Sequence, residues 1–371
     1  MKTLKSLAFT LLIIFISSCS NNDDNNNMED PTNETPDNNG NNFTIEKIAV
    51  PSELTLQSVD FFENQKGFIA SGKAYPAPES EILRSLDGGK TWTKVYANNT
   101  FYINKIHIKS ENKIYAVTNN GTIVISNNGG NTWTLNETFK NRGYYMTDIY
   151  FTDENNAYIV GQRGSNTKGF ILKTENNGNS WSDLEASNNN PNLDYTEMLT
   201  NNILRTITYY PPTDALIFGG GIWSEGKISI KNNNFWDVTN SVIPTKIMDL
   251  SIKDGLLVAG GNNGQTNSTS ERGGLCSYDT NSGVWSSIDY NATNKIVSVE
   301  MKENTIVIAG RNKSNNLSDG EFLSYSKDEG QNWNRIPHEY VTAEWNDVFA
   351  ISQTEFLVIG YNGLLIKLTI N

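Results

Sequence analysis

An eight-residue unit that keeps returning constrains this chain more than any other feature. Its clearest copy is Ser85-Leu86-Asp87-Gly88-Gly89-Lys90-Thr91-Trp92. It recurs as Ser126-Asn127-Asn128-Gly129-Gly130-Asn131-Thr132-Trp133 and as Thr174-Glu175-Asn176-Asn177-Gly178-Asn179-Ser180-Trp181. A further copy is Ser326-Lys327-Asp328-Glu329-Gly330-Gln331-Asn332-Trp333, and two worn copies end at Trp236 and Trp285. Successive tryptophans are 41, 48, 55, 49 and 48 residues apart. A period of that length marks a supersecondary unit that cannot bury its apolar face alone and stacks on its neighbours.

The unit reads as a tight hairpin. Asp or Asn at its third position hydrogen-bonds backbone N–H groups of the turn, and Gly at its fifth tolerates positive φ. The Trp supplies a large apolar body for a seam with the next sheet. Two more short strands precede each hairpin, such as 102–108 and 113–117 in the second unit, giving four strands per repeat. Units one to six end near Trp92, Trp133, Trp181, Trp236, Trp285 and Trp333. A seventh begins at Trp345 and stops one strand short, and residues 43–50 at the other end supply an apolar alternating strand. The expected fold is all-β: a seven-bladed β-propeller of four-stranded antiparallel blades over 43–371, closed by that N-terminal strand.

Residues 1–18 read as a signal peptide, with Lys2 and Lys5 ahead of an apolar run from Leu7 to Ile16 that is too short to span a bilayer. Residues 20–42 hold ten Asn, six acids and no base, a composition with nothing to bury. As a flexible coil that segment spans roughly 25 Å. The body from 43 onward carries 27 bases and 35 acids, a net −8. That excess argues against a nucleic-acid partner. Two histidines and two cysteines leave little material for a metal site, a disulfide framework or a histidine base, so no cofactor or metal is expected. Cys276 reads as a small buried hydrophobe.

The stretch Ile16-Ser17-Ser18-Cys19 resembles a bacterial lipobox, which implies acylation of Cys19 and a 19–42 tether at the cell envelope. The acidic run after it resembles a surface-export signal and implies an outer-membrane protein facing outward. The repeat resembles the Asp-box, or BNR, unit of sialidases and related propellers, in the positions Ser85, Asp87, Gly89, Trp92, Ser126, Asn128, Gly130, Trp133, Asn176, Gly178, Trp181, Ser326, Asp328, Gly330 and Trp333. Residues 118–125 are similar to the photosystem II assembly-factor branch of such propellers. In those families the boxes are structural, so the resemblance implies a fold more than an activity.

No catalytic motif emerges. Arg335-Ile336-Pro337 sits late in the chain on an outermost strand, and Gly219-Gly220-Gly221 ends a strand with no phosphate-loop lysine following. The second strand of most units ends in glycine, read as the point where the chain turns out of the sheet. The loops beyond offer Tyr75, Arg163, Trp223, Glu225, Arg272, Arg311 and Tyr361 as a binding face, with Trp223 its most prominent member. The expected function is a monomeric, lipid-anchored, non-catalytic propeller that binds a glycan or protein or scaffolds an envelope complex. A sialidase-like glycoside hydrolase or lyase is the alternative, and it needs arginines converging with a Tyr and a Glu.

Overall fold

The computed structural model describes residues 42–74, 76–164, 168–184, 199, 202–222, 225–232, 235–240, 245–262, 273–290, 295–311, 322–340 and 344–371. They form seven four-stranded antiparallel sheets. Six blades are continuous in sequence, over residues 55–98, 103–136, 144–183, 204–240, 246–288 and 295–335.

The seventh sheet joins both ends of the fold. Strand β1 (Phe43–Lys47) pairs with β28 (Leu365–Ile370), which pairs with β27 (Glu355–Ile359) and then β26 (Asp347–Ala350). The register runs from Phe43 opposite Ile370 to Lys47 opposite Ile366. The N-terminal segment therefore supplies the outer strand of the last blade, as its apolar alternation predicts. Without β1, the edge of β28 would present a row of unpaired backbone groups.

The inner strands are β2 (Thr55–Phe62), β6 (Ile103–Ile108), β10 (Tyr144–Phe151), β14 (Leu204–Tyr210), β18 (Lys246–Lys253), β22 (Lys295–Lys302) and β26. All but β26 carry a register shift at the same place, between residue pairs 56/58, 103/105, 146/148, 204/206, 247/249 and 296/298. Such a bulge re-aims the side chains around it and sharpens the local twist.

The hydrophobic core lies in the seams rather than at the centre. Seven buried clusters each mix side chains of two adjacent blades. The seam across the closure joins Leu56, Ile69, Leu83 and Trp92 of the first blade to Leu357, Ile359 and Leu365 of the last. Cys276 is buried in the seam between the fourth and fifth blades, where burial pushes its thiol up to about 12.

The repeated turns are held by their own side chains. Ser85 Oγ accepts from Gly89 N at 2.9 Å, and Asp87 Oδ1 accepts from Lys90 N and Thr91 N at 3.1 and 2.9 Å. Ser126, Thr174 and Ser326 accept from Gly130, Gly178 and Gly330 at 2.8–2.9 Å. Asn128, Asn176 and Asp328 likewise accept the N–H four residues on. Gly89 sits at φ 88°, which a side chain would strain, and a Cβ there would press on Leu357 of the preceding blade at 3.1 Å. Hydrogen bonds from the Thr91 hydroxyl and the Asn332 side-chain amide, together with these turn bonds, hold Asp87 and Asp328 at about 2, ionised well into acid.

Deleting residues 43–50 removes Ile48 from the core and Phe43 and Ile45 from its flank. At about 1.5–3 kcal/mol per fully buried large side chain, the loss should be on the order of 5 kcal/mol. Thermal denaturation measures it, and an unchanged midpoint would contradict closure by β1.

Candidate functional site

The inner strands surround a central channel, and the bulges give its lining a layered order. The residue just after each bulge forms one layer: Ser58, Lys105, Asp148, Thr206, Asp249 and Ser298, with Asp347 as the counterpart on β26. Two residues further on stand Asp60, His107, Tyr150, Thr208, Ser251, Glu300 and Phe349. The cavity between them, about 390 Å³, is lined by all of the second layer and by Lys105, Asp148, Thr206, Asp249 and Asp347 of the first.

Each inner strand is a sheet edge, and the N–H groups it turns away from its own blade need acceptors. The neighbouring blade supplies them from side chains. In the first layer Ser58 accepts from Ile106 N at 3.3 Å, Asp148 from Ile207 N at 2.9 Å and Asp249 from Val299 N at 2.9 Å. Ser298 accepts from Val348 N at 3.1 Å, and Asp347 from Val59 N at 3.0 Å across the closure. The second layer repeats the scheme, with Asp60 accepting from Ile108 N at 2.7 Å, Ser251 from Met301 N at 3.0 Å and Glu300 from Ala350 N at 3.4 Å. At the bulges the direction reverses: Asn104 and Thr147 donate to the carbonyls of Met146 and Leu204 on the next blade, and Asn346, just before the unbulged β26, donates likewise to Leu56.

One cation sits among these acids. The Lys105 ammonium is 3.4 Å from Asp347 Oδ2 and within electrostatic reach of Asp148, Asp249 and Asp60; they more than offset its desolvation and raise its pKa. His107 Nδ1 is 3.6 Å from Asp60 Oδ2, and its ring stacks on Phe151 at 5.8 Å. Burial and then Lys105 push His107 down to about 4, so it is neutral at pH 7 and a poor general base there.

The loop residues singled out from sequence fare differently. Tyr75, Trp223 and Arg272 lie outside the described residues, as do Cys19 and the segment around it, and Glu225 is described only as the first backbone position of a strand. Arg163 ends a strand rather than standing in a loop. Its Nη2 donates to the Tyr144 hydroxyl at 2.9 Å, its Nη1 is 3.3 Å from Asp183, and its plane lies over the Tyr144 ring. Arg311 also ends a strand, donating from Nε to the Trp345 carbonyl at 3.2 Å and from Nη2 to Asn346. Each arginine is thus held at its own place in the ring, the third blade for one and the seam between sixth and seventh for the other. The structure does not bring them together. Tyr361 is exposed, at 44%. Arg335 lies on an outermost strand with its guanidinium over Phe322.

The glycines of the second strands need a correction. They were expected to turn the chain out of the sheet, yet the strands run on past Gly161, Gly219 and Gly260. Gly161 faces the bulge of β10, where an added Cβ would lie 2.0 Å from the Tyr145 carbonyl oxygen. Gly310 meets the Lys295 carbonyl in the same way, at 2.5 Å. Close approach of the bulged backbone accounts for Gly161 and Gly310. An added Cβ at Gly219 or Gly260 would meet Ile247 or Ile296 of the next blade, and Gly360 alone follows directly on the end of its strand.

The channel residues went unnoticed in the sequence, although a signal is there. Asp148-Ile149, Asp249-Leu250 and Asp347-Val348 place an acid before an aliphatic residue at one position of three first strands.

These features define a class: a seven-bladed β-propeller with apolar seams and a polar channel, its blades joined by side-chain-to-backbone bonds. The chain belongs to the Sortilin-Vps10 family (sortilin, neurotensin receptor 3), which it matches over residues 80–281. No curated protein matches it. Among solved structures it is similar to YCF48 bound to D1 peptide, at 15% identity and TM-score 0.64, covering 91% of this chain and 100% of that one. YCF48 from Cyanidioschyzon merolae gives 16% identity and TM-score 0.63, covering 87% and 98%. A GH74 xyloglucanase from Xanthomonas campestris gives 12% and 0.59, covering 87% of this chain and 53% of that one. At such identities the likeness is one of fold. Among the described residues no helix is long and apolar enough to cross a membrane.

Asp249→Ala would strip acceptors from the N–H groups of Leu250 and Val299 and from the Ser298 hydroxyl. The cost should be about 3 kcal/mol, from buried donors at about 1–3 kcal/mol each. Asp249→Asn keeps an acceptor oxygen and should lose less than half as much in urea unfolding. Equal losses would mean the bonds to the next blade contribute nothing measurable.

Proposed function

We propose that this protein is a non-catalytic binding propeller, held at the outer membrane through acylated Cys19 and a 19–42 tether. It presents the face of the second-to-third-strand connections to a glycan or protein partner, or scaffolds an envelope complex. One observation carries this reading: the channel carboxylates that would serve as acid or base are already committed. Asp60, Asp148, Asp249, Glu300 and Asp347 each accept a backbone N–H of the next blade. Catalysis needs a carboxyl aimed at a substrate, and these are turned to the backbone of the next blade instead. That one solved propeller of like fold is described with a bound peptide supports a protein partner.

The alternative, a sialidase-like glycoside hydrolase or lyase, draws on the fold likeness to a xyloglucanase. The separate engagement of Arg163 and Arg311 counts against it.

Replacing Cys19 by Ser should move the protein from the membrane to the soluble fraction and abolish lipid labelling. Retention in the membrane fraction would refute the anchor. Partners are then identified by crosslinking in intact cells and affinity purification. Trp223→Ala should weaken capture of a stoichiometric partner by about 2 kcal/mol while leaving the melting midpoint nearly unchanged. A stable variant that captures the partner normally would move the working surface away from this face.

A further inference from the structure

The channel holds more negative charge than its one lysine balances. The titratable groups facing it are Asp60 from β2, Lys105 and His107 from β6, Asp148 and Tyr150 from β10, Asp249 from β18, Glu300 from β22 and Asp347 from β26. Strand β14 contributes no titratable group, only Thr206, Ile207 and Thr208. Five ionised carboxylates against one ammonium would leave a charge of −4 in a cavity of about 390 Å³. Carboxylates that share a site cannot all ionise cheaply.

Two remedies other than protons are open in principle, and the geometry favours neither. A bound metal ion would need several carboxylates turned toward one point. Each instead turns an oxygen to a neighbour's N–H, and among the described residues no group of three or more His, Cys, Asp or Glu is disposed to hold a metal ion. A second protein cation in the cavity would have to be His107, whose ring is stacked on Phe151 beside the Lys105 ammonium. Protons remain. The carboxylate best placed to take one is Glu300, which accepts a single bond from Ala350 N at 3.4 Å, longer than the backbone N–H bonds the aspartates accept from the next blade.

We propose that the channel is a proton store: a coupled carboxylate cluster that retains protons at neutral pH and gives them up under mild alkali, so that ambient pH sets how firmly the blades are joined.

Burial supports this by direction. Desolvation pushes Asp249 up to about 6, Asp60 to about 7 and Glu300 to about 8, and raises Asp148 as well. The cluster titrates as a unit rather than residue by residue. A carboxyl whose folded pKa exceeds its unfolded value binds more protons in the folded state. Its contribution is therefore full below about pH 4 and is lost as pH rises through the folded pKa. His107 acts in the opposite sense, because its folded pKa lies below the unfolded value near 6.5. Asp87 and Asp328, held at about 2, matter only in stronger acid. From about pH 6.5 to 8 the channel acids dominate the profile, and above that the Cys276 thiol, raised by burial, adds its own loss.

The test uses the full chain from about pH 6.5 to 9. Unfolding midpoints should fall from about pH 6.5 and the fall should slow above about pH 8, with about a tenfold loss in the folding constant per pH unit for each proton that unfolding releases. Glu300→Gln, which keeps an acceptor for Ala350 N, and Asp60→Asn should flatten the profile. Infrared spectra of the native protein should show a protonated-carboxyl band at pH 6.5 that is gone by pH 9 and weaker in Glu300→Gln. A flat profile, or the absence of that band from the native wild type at pH 6.5, would overturn the proposal; so would calcium that raises the wild-type midpoint at pH 8.5 but not that of Glu300→Gln. Should either variant fail to fold, the wild-type spectrum decides alone.

Discussion

The ring depends on hydrogen bonds that run from side chains of one inner strand to the backbone of the next. Among the described residues the seven sheets share no ladder, only an isolated bridge between Lys168 and Asn202, so β-sheet bonding does little to tell one blade where its neighbour sits. Apolar seams attract but are indifferent to small slides. A carboxylate or hydroxyl reaching a particular N–H is not indifferent, since a shift of one residue would strand both partners. The bulges serve the same end, aiming Asn104 and Thr147 at carbonyls of the following blade. The glycines opposite the bulges, Gly161 and Gly310 among them, leave room for the displaced backbone.

Stability and specificity are thereby assigned to different chemistry. Trp92, Leu357 and their kin exclude water from the seams, while Ser58, Asp148, Asp249, Ser298 and Asp347 fix the angular order of the blades. A channel so occupied has little polar capacity left for a ligand. The rim is left as the surface where variation costs the ring nothing.

What was legible beforehand follows the range of the interactions. Blade number, strand count and the closing role of residues 43–50 could be read because hairpin chemistry and apolar alternation are local. The channel could not. A single Asp in an alternating strand, such as Asp60 or Asp148, looks like any solvent-facing residue until the partner strand some 50 residues away is placed beside it. The acceptors of Arg311, Trp345 and Asn346, are hidden for the same reason, since they belong to the next blade. The glycines were read by their commonest use, whereas their role lies in contact with a neighbouring strand.

Closure by β1 has a consequence for assembly. Its partners Phe43 and Ile370 stand at opposite ends of the folded sequence, so this pairing has the longest loop to close and should form late. Until it does, β28 offers an open edge that five residues of the right pattern can fill. A second molecule carries the same five residues. At high concentration the strand that completes one ring can complete another, and the outcome is an exchanged dimer whose every blade is native.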